Sequence, residues 1–392
     1  MPENHSFNTH IMDTTKRPKI IIAPDKFKGS LSAREVCAAI RTGIRQVIPE
    51  AEIVEHPLAD GGEGSLDILA DFLEVEVVEA IVQDPLFRPL RATYLRHGET
   101  AFVEMARASG LPLLKATERS ARATTTYGTG QLIRNALQRG SREIMLFVGG
   151  SATTDGGIGM ASALGYRFLD KHGAPVKPVG EDLMRIERID GDQRYVDPAT
   201  IRTVVVSDVK NPLYGEQGAA RVFGPQKGAT EQDVALLDAG LERLAELVKR
   251  DLGVEIGQIP GAGAAGGLGA GGVAFLGAEI RSGIHTMIGI TQLAPHLQDA
   301  DLIITGEGML DHQSLQGKVI AGVAELAGEH RIPCAVIAGN TSLQPTEYRP
   351  LGIQQVYTVM EEGLSLEQAI REARDRVEKL AQRLAGELLE KK

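Results

Sequence analysis

Apolar residues along this chain come in short β-branched runs that end in glycine-bearing loops, and behind several of those loops the spacing turns helical. Lys19 to Ala23 predicts a buried strand and leads into the loop APDKFKGS. Ser32 and Glu35 then make a capping-box signature ahead of Val36, Ala39, Ile40, Ile44 and Val47. The same order recurs over residues 51–58, ADGGEGS and a short helix marked by Leu66, Ile68, Leu69 and Phe72. Segments 75–83, 90–96 and 100–105 read as extended, with His97 and Gly98 as a hairpin turn. A helix from Tyr127 to Gly140 precedes the strand Glu143 to Val148, and Thr203 to Val206 is a further strand. Glu231 to Arg250 has the spacing of a long amphipathic helix that buries Val234, Leu236, Leu237, Leu241 and Leu244. Strands 301–304, 333–338 and 354–359, a helix near 317–329 and a C-terminal helix capped by Ser365 and Gln368 complete the pattern.

Beta-alpha units at both ends with a mixed middle predict an α/β fold. A Rossmann-like parallel sheet is built from 18–84 and 288–392, and a second mixed α/β domain, 85–287, is inserted into it. Residues 1–17 are polar, lack the apolar stretch of a signal peptide and are expected to form a disordered leader. No internal repeat is evident.

Composition narrows the function. The 392 residues exceed one ordinary domain, and 43% hydrophobic with 24% charged residues is the balance of a soluble globular protein. A net charge of -10 opposes a nucleic-acid role, because phosphate backbones are held by clustered Lys and Arg. The longest apolar tract, near 266–280, is too short and glycine-rich to span a bilayer. Cys37 and Cys334 suit reduced core positions, so a cytoplasmic protein is expected, with a homo-oligomeric state left open.

The chemistry lies in the loops. In open α/β sheets ligands bind beyond the carboxyl ends of the strands, and five strand-exit loops here combine Gly with Asp, Lys or Ser: APDKFKGS, ADGGEGS, GGSATTDGG, SDVKNPL and TGEGMLDHQSLQGK. Clustered carboxylates hold a hard divalent cation, glycines let backbone N–H groups cradle phosphate oxygens, and Lys supplies charge; phosphoryl transfer uses all three. No GxxxxGK[ST] run occurs. GAGAAG, residues 261–266, matches GxGxxG, but no β-rich strand leads into it and no ribose-binding acid follows. Its glycines serve either phosphate binding or close helix–sheet packing. A nicotinamide-dependent oxidoreductase acting on a small hydroxy acid rests on that tract alone.

The loops APDKFKGSLSA, ADGGEGS, YGTGQLI, VGGSATTDGGIGM, SDVKNPLYGEQGAARVFGPQKGAT, PGAGAAGGLGAGGVAFLGAEI and TGEGMLDHQSLQGKV resemble, in the same order, those of the type-1 glycerate kinases. The resemblance runs from about residue 19 over nearly the whole chain. It implies ATP- and Mg²⁺-dependent phosphorylation of D-glycerate, usually to 2-phosphoglycerate, by a Rossmann-like domain intertwined with a second one. It also implies an active site in the cleft between them. Departures from the family pattern are Met309 for Arg, Ile320 for Pro, Thr154 for Asn, and Ser207 and Lys210 in the motif around Asp208. Loss of the arginine bears on substrate choice and motivates a non-catalytic sugar-acid sensor as a further alternative.

Asp208, directly after a strand, is the first candidate for a base that takes the hydroxyl proton, followed by Asp60 and Asp311; Asp60 and Asp208 are the candidate metal ligands. Asp155 suits either a site role or an Asx turn. Glu307, Ser314 and Lys318 are grouped as phosphate candidates on a helix expected to start near Ser314. Lys28, Lys227, Ser151, Asn211, Gly263 and Gly266 complete the substrate- and phosphate-binding candidates, and His285 and His312 receive no role.

Overall fold

A computed structural model of the chain describes residues 17–390. The expected polar leader, apart from Arg17, lies outside the described residues. Contacts divide the chain into two units, 1–59 with 292–392, and 60–291.

The unit made from the chain ends carries a five-stranded, wholly parallel sheet, as a Rossmann-like fold requires. Its strands run Ile353–Thr358, Cys334–Ala338, Leu302–Thr305, Lys19–Ile22 and Glu52–Glu55 across the sheet. Lys19–Ile22 is an interior strand, pairing with Leu302–Thr305 on one side and Glu52–Glu55 on the other, and Ile20, Ile21 and Ile22 are fully buried. The second strand is shorter than the apolar run that predicts it, because pairing is confined to residues 52–55. Cys37 and Cys334 are free and buried.

Helix Ala33–Val47 starts at the expected capping box: Ser32 Oγ accepts from Glu35 N (3.3 Å) and Glu35 Oε2 accepts from Ser32 N (2.8 Å). Its apolar face packs on helix Ala373–Glu390, and Gly43 sits where the two backbones meet. A Cβ there would lie 2.2 Å from the Glu378 carbonyl oxygen and 2.8 Å from Ala381 Cβ. The C-terminal helix breaks at Glu372 into Leu366–Arg371 and Ala373–Glu390, and Ser365 caps the first piece by accepting from Gln368 N.

The second unit holds a six-stranded mixed sheet in the order Glu279–Arg281, Arg202–Val206, Glu143–Phe147, Thr100–Glu104, Pro89–His97 and Glu76–Gln83. The first four strands are parallel and the last two antiparallel. The boundary expected near residue 85 falls instead between Ala59 and Asp60, because Glu76–Gln83 pairs along its whole length with Pro89–His97 and draws residues 60–84 into this unit. Helix Glu231–Leu252 begins at a Thr230–Asp233 capping box and ends at Gly253, whose φ of 72° is the left-handed cap only glycine adopts freely. Leu237, Leu241 and Leu244 on its inner face are fully buried, while Val234 and Leu236 are half-buried. Among the described residues no helix is long and apolar enough to cross a membrane.

Replacing Gly43 by Val forces a branched side chain into backbone that has no room for a single methyl. The expected outcome is a loss of about 2–3 kcal/mol or more in the stability of the terminal-segment unit, read from denaturant unfolding curves, with the fold of residues 60–291 unchanged by hydrogen exchange.

Candidate active site

In the second unit the carboxyl ends of the parallel strands are where polar groups gather. Strand Arg202–Val206 runs out into Ser207 and Asp208, and strand Glu279–Arg281 runs out into Ser282 and Gly283. These strands are neighbours, and one Asp208 oxygen is held by both residues that follow the second: Oδ1 accepts from Ser282 Oγ (2.9 Å) and Gly283 N (2.7 Å). The other oxygen, Oδ2, is buried and has no hydrogen-bond partner. His285 Nδ1 lies 3.0 Å from Ser282 Oγ, extending the contact toward an exposed imidazole.

Asp60 reaches the same place through the ADGGEG turn. Its Oδ1 accepts from Gly62 N (2.9 Å), the local bonding that an ordinary turn aspartate makes. Gly283 is wedged between the two aspartates: a Cβ there would lie 1.9 Å from the Asp60 carbonyl oxygen and 2.7 Å from Asp208 Oδ2. Burial pushes the Asp208 carboxyl up to about 6; the charge of Asp60 adds to the rise, and the donors from Ser282 and Gly283 oppose it.

Asp155 is elsewhere in chemical terms. It is fully buried and accepts from Thr126 N (2.7 Å), Thr126 Oγ1 (2.8 Å), Gly157 N (3.0 Å) and Gly159 N (3.2 Å). That saturation makes it a structural tie, the Asx-turn role taken further. Lys227 is likewise no surface phosphate contact, because it is 1% exposed and its Nζ donates to the Thr153 carbonyl (2.6 Å). Burial pulls its ammonium down to about 7, while the charge of Asp155 works the other way. Ser151 is nearly buried and bridges to Gly110, and Asn211 Nδ2 donates to the Gln217 carbonyl (2.8 Å).

The glycine tract takes the packing role. Gly263 N donates to the Asn211 carbonyl (3.0 Å), and the Gly266 carbonyl accepts from Gly156 N (3.0 Å). A Cβ at Gly266, whose φ is +66°, would sit 2.0 Å from the Thr153 carbonyl oxygen. Backbone lies directly on backbone there.

In the terminal-segment unit, loops leaving the parallel strands also meet. Asp25 N donates to the Gly306 carbonyl (2.8 Å), and Gly339 N donates to the Glu307 carbonyl (3.0 Å). Glu307 is nearly buried; its Oε1 accepts from Ile320 N (3.0 Å) and its Oε2 lies 3.3 Å from Ser314 Oγ. The helix expected near Ser314 begins at Val319, and Ser314–Gln316 is a single 3₁₀ turn. Ser314 is buried and its hydroxyl donates to the Met309 carbonyl (2.9 Å), so it neither caps that helix nor presents itself to an anion. Asp311 Oδ1 accepts from Gln313 N (2.9 Å) and Ser314 N (3.0 Å), which closes the turn and occupies that oxygen. Lys28 is exposed on the first strand-exit loop, and Lys318 occupies the cap position of helix Val319–Glu329.

Residues 20–389 match the model of the glycerate kinase family. The chain belongs to the glycerate kinase family. Among curated relatives, a glycerate 2-kinase of Escherichia coli K12 is 42% identical over 94% of this chain and 98% of its own length. A glycerate kinase of Bacillus cereus is 42% identical over 94% and 97%. A crystal structure from Salmonella typhimurium LT2, named as a glycerate kinase 2, superposes with a TM-score of 0.82 at 41% identity, covering 95% of this chain and 98% of that one.

For this family member, sequence reasoning passed over Ser282, Gly283 and Glu104. The strand that delivers Ser282 and Gly283 has three residues, too few for periodicity to mark. Glu104 ends a strand, the signal that singled out Asp208, but no glycine loop follows it.

The raised carboxyl of Asp208 has a stability consequence. Its folded value, about 6, lies above the 3.8 of an unfolded chain, so its contribution to stability is full below about pH 4 and is lost as pH rises through about 6. In metal-free protein, Asp208→Asn is expected to be more stable than the parent by about 2–3 kcal/mol at pH 8, at about 1.4 kcal/mol per pH unit. The two should be equal near pH 4, and denaturant unfolding at both pH values measures the difference.

Proposed function

We propose that this chain transfers the terminal phosphoryl group of ATP to the 2-hydroxyl of D-glycerate, giving 2-phosphoglycerate and ADP, with Mg²⁺ as the metal. The observation that carries the reading is the buried, unpartnered Oδ2 of Asp208 beside Asp60. A carboxylate oxygen left without a donor in a buried place costs stability unless a ligand completes it. The names of the similar proteins, glycerate 2-kinase and glycerate kinase, support the substrate.

The residues present fit Mg²⁺. That ion is bound through one or two carboxylates, with water and substrate phosphates filling its octahedron. Among the described residues no group of three or more His, Cys, Asp or Glu is placed to hold a metal; Asp60 is the carboxylate that would hold it, together with water and substrate phosphates, and Asp208 Oδ2 is kept for the hydroxyl proton. When bound, Mg²⁺ neutralises charge on the phosphate oxygens.

Asp208 acts as the base. Ser282 and Gly283 hold Oδ1, which leaves Oδ2 to accept the proton of the glycerate hydroxyl as its oxygen bonds to phosphorus. A carboxyl poised near 6 is ionised at neutral pH yet more basic than an ordinary aspartate. The side-chain geometry of Asp155, Lys227, Ser314 and Asp311 favours structural roles. The reading puts the reaction in the cytoplasm, where thiols such as Cys37 and Cys334 stay reduced.

With D-glycerate, ATP and Mg²⁺, a coupled assay is expected to record ADP release, and phosphorus NMR to show the 2-phosphate. The 3-phosphate would move the transfer to the other hydroxyl, and no ADP release would sink the reading. Asp208→Asn is expected to lower turnover by about 10²–10⁴-fold with ATP binding retained; near-normal turnover would remove Asp208 from the chemistry.

A further inference from the structure

Glu104 ends strand Thr100–Glu104, a neighbour of Glu143–Phe147 in the sheet, and is 2% exposed. A carboxylate that deep needs donors on both oxygens. Its Oε1 accepts from Gly64 N (2.7 Å), the last residue of the turn that carries Asp60, and its Oε2 accepts from Arg107 Nε (3.0 Å). Arg107 spreads the connection: one terminal nitrogen donates to Asp67 Oδ1 (2.8 Å), in the first turn of helix Ser65–Phe72, and the other to Thr93 Oγ1 (2.8 Å) on the strand Pro89–His97. Burial pushes the Glu104 carboxyl up and the Arg107 bond opposes it.

The turn has local bonds, Gly62 N to Asp60 Oδ1 (2.9 Å) and Ser65 Oγ to the Gly62 carbonyl (2.7 Å), but these close it on itself and do not tie it to the sheet. Gly61 and Gly64 have φ of +83° and +93°, and positions 61 and 62 pass close to Val206, Gly283 and Gly149 with no side chain to interlock. Glycine permits that path but does not enforce it. A charge-assisted bond onto Gly64 N, with a second bond onto the helix that follows, fixes the turn where it leaves the sheet.

We propose that Glu104, braced by Arg107, is a positioning residue for the phosphoryl transfer: it holds the Asp60–Ser65 turn at the strand ends and thereby sets Asp60 beside Asp208. The proposal rests on the kinase reading. Outer residues that orient metal-binding carboxylates are worth about 10–100-fold in affinity or activity.

The test compares Glu104→Ala, Glu104→Gln and Arg107→Ala by amide hydrogen exchange over residues 60–67 and by kcat and KM. In Glu104→Ala and Arg107→Ala the turn is expected to exchange at least about tenfold faster and kcat to fall about 10–100-fold, with KM for ATP changing less. Glu104→Gln keeps an acceptor for Gly64 N and is expected to recover most of both. Arg107 is partly exposed, so its variant remains informative if Glu104→Ala does not fold. Unchanged exchange in a folded variant overturns the proposal, as does faster exchange with normal kcat. A parent protein that releases no ADP overturns the kinase reading, and the exchange measurement tells the two failures apart.

Discussion

A carboxylate taken out of water at the end of a parallel strand is the constraint around which the second unit is organised. Asp208 has one oxygen bonded twice and the other not at all. Keeping that group ionised costs folding free energy on the order of 2–3 kcal/mol, and the neighbouring backbone shows what is arranged to keep it there. Gly283 carries no side chain because any Cβ would strike Asp60 and Asp208 together, and Gly61 and Gly149 bring the adjoining turns into contact for the same reason. A site that is destabilising when empty is ready for a cation or a proton, and that is the physical content of the functional assignment.

Glycine serves two distinct purposes in this chain. In the turn at Asp60 it lets backbone run across the strand ends with positive φ. In the tract from Gly261 to Gly272 it removes side chains altogether, so that a buried segment lies on residues 153–157 and 211–212 at backbone distance. A motif match treats these uses alike, since it counts glycines and not what they touch. The buried pair of Lys227 and Asp155 belongs to this second role: each reaches across to the GGSATTDGG loop or its neighbours with bonds directed at backbone. Their cost is desolvation, and what they secure is the conformation of the loop backbone that they bond.

Much of the architecture was legible beforehand. Short β-branched runs, a capping box at Ser32, a cap at Ser365, and loops rich in glycine and acid specify strands, helix starts and the ligand end of a sheet by local chemistry. Asp60 and Asp208 were singled out by that route, and the structure brings them together. The surroundings of Lys227 and Ser314 were not legible in the same way, because solvent access is not a local property, whereas Asp155 takes the Asx-turn form that was one of its two readings. A lysine beside glycine reads as a surface anion contact until Thr153 is found above it. A serine ahead of a helical pattern reads as a cap until the helix begins five residues later, with Glu307 bonded to its Ile320 amide.

By itself, the sequence determined the parallel α/β class, the strand-exit loops where chemistry would lie, and, through the resemblance of those loops, the family. Tertiary structure decided which loop residues face solvent and which are structural ties, and it brought Ser282 and Gly283 onto Asp208 and Glu104 onto the turn of Asp60. The physical reason is range: spacing and capping act over a few residues, whereas the bonds from Asp208 to Gly283 and from Glu104 to Gly64 join positions 75 and 40 residues apart.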